Sequence, residues 1–190
     1  MKVKEIFPQN IYGDCFLNLE DNYINKLVAS IELLRRGDIE GETFSNNSFG
    51  WHSSNIPQGG VFQNLTEAIT KKSYEFCKNM SNFNFNKIEM IGLWANINYK
   101  NDINWAHKHA GDLSGVYYLK AKENCGDLVL DNFNYSENCK INAYLTNKYK
   151  TSITAKKDKL ILFDSECVHA VLKNFSEGPR ISMSFNLKIL

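Results

Sequence analysis

Histidines are the first residues in this chain whose spacing could do chemistry. In His107-Lys108-His109 two imidazoles stand two positions apart. If the segment is extended, both leave one face of a sheet, roughly 6 to 7 Å apart at the backbone, and Lys108 points the other way. That separation suits two neighbouring ligands on one metal ion. A third histidine, His169, follows the apolar run KLILF and lies in ECVHAVLK, which alternates as a second strand would. Imidazole with oxygen donors suits iron, zinc, copper or nickel, so the ligand types point to a metal site without choosing the metal.

Arg180 lies eleven residues beyond His169, after the turn NFSEGP and at the head of RISMSFNL. A tight return predicts a hairpin that brings Arg180 back beside the strand carrying His169. Period two puts Arg180, Ser182 and Ser184 on one face. A guanidinium grips a carboxylate with two prongs, and a neighbouring hydroxyl adds a donor. Trp94, Asn96 and Asn98 alternate along the strand before the HKH segment and could line the same pocket. Cys167 shares strand parity with His169, although a buried cysteine usually acts as a small hydrophobe. His52, in GWHSS, reads as a lone loop histidine.

The elements that must position these groups fall into two halves. Apolar residues at helical spacing predict a helix over Asp21 to Arg36, with Ile24, Leu27, Val28, Ile31 and Leu34 on one face and Gly37 as a stop. A second helix is expected over Thr66 to Met80, with Ile69, Tyr74, Phe76 and Cys77 inward and Asn64 or Thr66 as cap. The stretch from Gly41 to Gly60, rich in Ser, Asn and Gly, reads as a long loop. From Asn86 onward, short β-branched and aromatic runs predict strands near Lys87 to Tyr99, Ser114 to Lys120, Asp127 to Asp131, Ile141 to Tyr144, Thr151 to Thr154, Lys159 to Phe163, His169 to Lys173 and Arg180 to Ile189. Eight short strands suit a mainly β (α+β) fold, a double-sheet jelly roll or small barrel with the helices buttressing one outer face. Residues 1–190 then form a single domain, with a helical and loop part over 1–85 and the β core over 86–190.

Composition narrows the function. The net charge of +1 comes from interspersed Lys and Asp/Glu, so no basic field invites nucleic acid. No apolar run approaches the roughly 18 residues of a membrane span, and the start MKVKEIFPQNIYGDCF lacks a secretory signal, so a cytoplasmic location is expected. Five cysteines, Cys15, Cys77, Cys125, Cys139 and Cys167, are odd in number and never in CxxC spacing, which predicts reduced thiols and no thiolate zinc site. The expected partner is a small-molecule or peptide substrate, and a homodimer is left open.

Taken in order, H-x-H, SGVYYL, G-x-L, LILFDSECVH and GPRISMSFN form a set that resembles the double-stranded β-helix, a cupin-like jelly roll, of Fe(II)/2-oxoglutarate-dependent oxygenases. The resemblance covers roughly Met90 to Leu187 and is nearest to a branch whose tail reads FPS-x-L-x-H-x-V-x-P-N and then R-I-S-I-S-F-N. It implies Fe(II), 2-oxoglutarate and O2 as cofactor and co-substrates, and hydroxylation of a substrate with release of succinate and CO2. It implies His107 and His169 as metal ligands, with His109 where the wider superfamily has a carboxylate. Arg180 matches the residue that grips the distal carboxylate of 2-oxoglutarate, with Ser182 beside it and Asn98 in the same pocket. Tyr117 matches a tyrosine that hydrogen-bonds that co-substrate, and Tyr118 is expected to face away into packing.

There are departures. A neutral imidazole replaces the usual carboxylate, which leaves the metal centre one charge more positive. Asp112, Asp127 and Asp131 are the nearest carboxylates should His109 not ligate, and Asp164 and Lys173 stand where the branch has prolines. Two rival readings use the same residues: a non-catalytic cupin-like metal-binding module, and a three-histidine dioxygenase that does not use 2-oxoglutarate. The loop from Gly41 to Gly60 and the region from Asn132 to Asn147 are candidates to shape the substrate pocket.

Overall fold

The computed structural model describes residues 2–7, 10–42, 47–48, 50–80, 84–131 and 150–190. Two antiparallel sheets face one another. The larger is built from β1 (Lys2–Phe7), β2 (Asn10–Phe16), β4 (Trp51–His52), β5 (Ile88–Asn98), β7 (Leu113–Lys120), β10 (Lys159–Asp164) and β12 (Arg180–Ile189), in the order β1-β2-β10-β7-β12-β5-β4. The smaller is built from β3 (Asn47–Ser48), β6 (Ile103–His107), β8 (Leu128–Asp131), β9 (Lys150–Ile153) and β11 (Val168–Val171), in the order β3-β6-β11-β8-β9. This is the double-sheet jelly roll expected, but β1 to β4 are strands within residues 1–85, expected as helix and loop, and β6 was not among the predicted strands. The predicted strand over Ile141 to Tyr144 lies outside the described residues.

Helices α1 (Asp21–Gly37) and α2 (Gln63–Lys78) cover the outer face of the larger sheet. On α1, Ile24, Leu27 and Ile31 are buried at i, i+3 and i+7, each contributing about 1.5–3 kcal/mol of apolar burial. Leu34, expected on that face, lies in the last turn and is 41% exposed. On α2 the buried face is Leu65, Thr66, Ile69, Ser73, Phe76 and Cys77, and Tyr74 is largely outside it. The helix starts three residues earlier than predicted and has no side-chain cap; Thr66 Oγ1 donates instead to the Gln63 carbonyl, 2.8 Å away. Among the described residues no helix is long and apolar enough to cross a membrane.

Strand parity divides the core in two. Ile181, Met183, Phe185 and Leu187 of β12 point to the helices with Leu93, Ala95 and Ile97 of β5. The second cluster, with Val116, Tyr118, Leu128, Leu130, Ile161 and Phe163, lies between the sheets. Residues 180, 182 and 184 alternate with the first set and so face the space between the sheets, as predicted.

The link from β11 to β12 corrects one expectation. It is not a hairpin within one sheet, since β11 pairs with β6 and β8 while β12 pairs with β5 and β7. The chain crosses from the small sheet to the large one through a turn held by Asn174. Its Nδ2 donates to the carbonyls of Asn98 and Gly178 at 3.0 Å each, and its Oδ1 accepts from the Ser176 amide at 2.8 Å. Arg180 therefore faces His169 across the sandwich, not along a shared ladder.

Candidate metal centre and its cavity

The short strands β6 and β11 bring two distant histidines into register: His107 stands directly opposite His169. Just beyond the end of β6, the His109 amide donates to the Ser165 carbonyl at 3.2 Å, which turns His109 back over the pair. The ring centroids are 4.3 Å apart for His107–His169, 4.8 Å for His107–His109 and 4.8 Å for His109–His169. One nitrogen from each ring lies within 4.8 Å of the other two.

Hydrogen bonds set the tautomers of two of these rings. His107 Nδ1 lies 2.7 Å from the Trp105 carbonyl and His169 Nδ1 lies 2.9 Å from the Cys167 carbonyl. A carbonyl only accepts, so each Nδ1 carries the proton and each Nε2 keeps a free lone pair. Burial and mutual repulsion among the imidazoles keep them neutral. The His169 pKa is pushed down to about 3, mainly by burial and then by His107. The His109 pKa is pushed down to about 4, by burial first and then by His107 and His52, and that of His107 is lowered by burial. Three neutral imidazoles with free lone pairs fit a divalent metal. Metal–imidazole bonds run at about 2 Å, so the three rings would have to draw closer together around an ion. None of the alternative carboxylates is near. Asp112 bonds Lys188 Nζ at 3.1 Å and the Ile189 amide at 2.8 Å, Asp127 accepts from Ser152 at 2.9 Å, and Asp131 pairs with Lys150 at 3.4 Å.

The triad opens into a cavity of about 500 Å³. On its large-sheet wall, Arg180 faces the cavity from the first position of β12, opposite Asn98 of β5. Arg180 is 1% exposed, and its Nη1 donates to the carbonyls of Cys125 at 2.8 Å and Gly126 at 3.0 Å. Gly126 has φ +92°, and a Cβ there would strike the Leu172 carbonyl and come within 2.9 Å of Arg180 Nη1, so the position needs glycine. Among the described residues no carboxylate forms an ion pair with the guanidinium, and Nε and Nη2 make no hydrogen bond. Burial lowers the Arg180 pKa, with Asp102 and Asp127 acting only through space, yet a guanidinium stays charged. The result is a buried cation with half its fork unused.

The structure brings most of the other sequence candidates to this cavity. Ser182 lines it, buried, without a hydrogen-bond partner among the described residues. Asn98 also lines it, with its amide donating to Asn104 Oδ1 at 3.1 Å. Tyr117 does not reach it. Its side chain lies in the helix-side core and its hydroxyl donates to Asp158 Oδ1 at 2.7 Å, while Tyr118 lines the cavity. The correction follows from register, because β12 sets Ser182 opposite Tyr118 and the outward-facing Met183 opposite Tyr117. Cys167 packs in the core between the sheets, where burial raises its pKa to about 12.

His52 was missed by the sequence reading. It belongs to β4, lines the cavity and stacks on Trp94 with centroids 5.6 Å apart and planes 17° from parallel. Trp94 in turn lies 5.3 Å from the His109 ring. A signal was present in Gly50-Trp51-His52, an aromatic pair inside an otherwise polar stretch.

Residues 92–186, half of the chain, match the profile of the family described as "Putative 2OG-Fe(II) oxygenase". The chain belongs to this family. These oxygenases are non-haem iron enzymes that use Fe(II) and 2-oxoglutarate. The fold of this oxygenase is similar to that of a Pseudomonas putida prolyl-4-hydroxylase, with TM-score 0.65 and 14% identity over 92% of this chain and 91% of that one. It is also similar to a viral collagen prolyl hydroxylase from Paramecium Bursaria Chlorella virus-1 in its 2OG complex, with TM-score 0.61 and 16% identity over 93% and 94%. A third similar fold is HygX from Streptomyces hygroscopicus with nickel, 2-oxoglutarate and hygromycin B bound, with TM-score 0.65 and 10% identity over 93% and 82%. No curated protein matches this chain in sequence.

Proposed function

We propose that the protein is an Fe(II)- and 2-oxoglutarate-dependent dioxygenase that hydroxylates a C–H bond of a small-molecule or peptide substrate. His107, His109 and His169 hold the metal, and Arg180 binds the distal carboxylate of 2-oxoglutarate. The observation that carries this reading is the Arg180 guanidinium: buried, without a carboxylate partner among the described residues, and sharing one cavity with three neutral imidazoles. A buried cation of this kind is costly unless an anion joins it, and a dicarboxylate spanning from the metal to the arginine supplies one.

When bound, Fe(II) supplies the oxygen chemistry in which 2-oxoglutarate and O2 become succinate and CO2 as the substrate is hydroxylated. The chain's own residues bind and orient. The carbonyls of Trp105 and Cys167 hold the Nδ1 protons of His107 and His169, so those rings present Nε2 to the ion. Ser182 stands next to Arg180 on the same face and offers a hydroxyl to the bound carboxylate. Tyr118 takes the place assigned from sequence to Tyr117. The Asn98–Asn104 hydrogen bond ties the two sheets together beside the arginine.

His107→Ala and His169→Ala are each expected to abolish Fe(II)-dependent succinate formation from 2-oxoglutarate. Retention of that activity in either variant overturns the assignment. A triad without a carboxylate is also the donor set of three-histidine dioxygenases that do not use 2-oxoglutarate. Full turnover by an Arg180→Ala variant would favour that second reading.

A further inference from the structure

The three imidazoles are not held alike. His107 and His169 each lock their Nδ1 on the carbonyl two residues earlier, at 2.7 and 2.9 Å. His109 makes no side-chain hydrogen bond among the described residues. What touches its ring is aromatic: the other two imidazoles and Trp94, whose centroid is 5.3 Å away at an interplanar angle of 44°. Trp94 is fixed in its turn, since His52 stacks on it almost parallel at 5.6 Å.

Backbone pairing holds both His52 and Trp94 in place. Trp94 stands on β5 opposite Ser184 of β12, in the longest pairing of the large sheet. The segment carrying His52 is pinned along the free edge of β5. His52 pairs with Asn96, the Ser53 amide donates to the Ala95 carbonyl at 3.0 Å, and the Ala95 amide donates to Ser53 Oγ at 2.9 Å. The pinning continues where the Leu93 amide donates to Asn55 Oδ1 at 3.0 Å and the Ile56 amide to the Leu93 carbonyl at 2.7 Å. His52 Nδ1 itself is 2.6 Å from the Ser53 carbonyl, which sets its ring plane.

We propose that Trp94, backed by His52, is the positioning residue of His109, so that an aromatic stack does for the third ligand what a backbone carbonyl does for the other two. The inference rests on the reading that the triad holds a metal. An indole cannot fix an imidazole tautomer as an acceptor would, but a tilted aromatic contact limits ring rotation, and rotation is what a ligand without a hydrogen bond must lose on binding. Trp94 therefore acts through His109 alone, and its effect disappears when His109 is gone.

The test is a double-mutant cycle on Co(II) affinity, measured on the full chain without oxygen by competition with a coloured chelator. Trp94→Leu is expected to weaken Co(II) binding about 10–100-fold, the usual cost of losing a group that orients a metal ligand. Trp94→Phe should recover most of the loss. In a His109→Ala background, Trp94→Leu should change affinity by about twofold or less, because coupled groups are non-additive. Equal loss in both backgrounds, or no loss in either, overturns the proposal. If Trp94→Leu fails to fold, His52→Ala decides: a several-fold loss that requires His109 supports the stack, and anything else contradicts it. Failure of the underlying reading looks different, since wild-type protein would then bind no Co(II) and both claims would fall.

Discussion

The two sheets make unequal contributions to the cavity between them. The centre of the large sheet is built on long strands, β5 of 11 residues and β12 of 10, and helices cover its outer face. The small sheet is made of strands of two to five residues. The large sheet carries Arg180, Ser182, Trp94, Asn96 and Asn98, and the small one carries two histidines of the triad. A diacid recognised by fixed hydrogen bonds needs a rigid wall, which long buried strands provide. If the triad holds a metal, ligands at the ends of short strands need less from the fold, because the ion itself would complete their geometry. The large-sheet half of the site should thus be preformed, and the small-sheet half should depend on the metal.

The largest expected effect that sharpens this contrast is at Arg180. Arg180→Ala should raise the KM for 2-oxoglutarate by about 30-fold or more, the cost of about 2 kcal/mol or more for removing one partner of a buried charge pair. Arg180→Lys should recover only part of it, since an ammonium has no fork. Metal affinity in the absence of 2-oxoglutarate should stay near wild type in both. A parallel loss of metal affinity would show that the two walls are not separable.

The next effect lies in the triad and appears as pH dependence of the metal-free protein. His169, His109 and His107 all have lowered pKa values in the fold, with the first two near 3 and 4. Between those values and the usual 6.5, the unfolded chain binds protons that the folded chain refuses. The stability that these histidines contribute is then fully present above about pH 6.5 and falls progressively toward pH 3–4, which urea unfolding at a series of pH values would reveal. Replacing His169 by Phe should flatten that fall, and an unchanged slope would mean the cluster is not the cause.

The smallest effect separates the two tyrosines of β7. Tyr117→Phe should cost about 1 kcal/mol of stability through the lost bond to Asp158 and leave the KM for 2-oxoglutarate unchanged. Tyr118→Phe should do the reverse, raising that KM a few-fold with little change in stability. Identical behaviour of the two variants would break the distinction between the helix-side core and the cavity.

Those tyrosines also mark where the sequence stops being legible. Seven consecutive residues of β7, Leu113 to Leu119, are buried, because helices cover one face and the second sheet covers the other. Alternation then carries no information about which tyrosine faces the site, and only register against β12 decides it. By contrast, β12 alternates a polar face of Arg180, Ser182 and Ser184 with an apolar one, and its bounds and parity were readable. The strands β3 and β4 were hidden inside a predicted loop, since two-residue strands paired through backbone atoms leave no side-chain period to read. The stack of His52, Trp94 and His109 joins residues far apart in sequence and so had no local signature. The triad itself was legible because its chemistry is rare: three of only four histidines, each on a segment that reads as extended or nearly so.

The most direct test is the visible spectrum of the anaerobic protein with stoichiometric Fe(II), before and after 2-oxoglutarate is added. The predicted result is a weak charge-transfer band that appears only when both are present, is lost in His169→Ala, and needs much higher 2-oxoglutarate in Arg180→Ala. A wild-type protein that binds Fe(II) but gives no band, or an Arg180→Ala variant that titrates like wild type, would contradict the shared site of three imidazoles and one guanidinium.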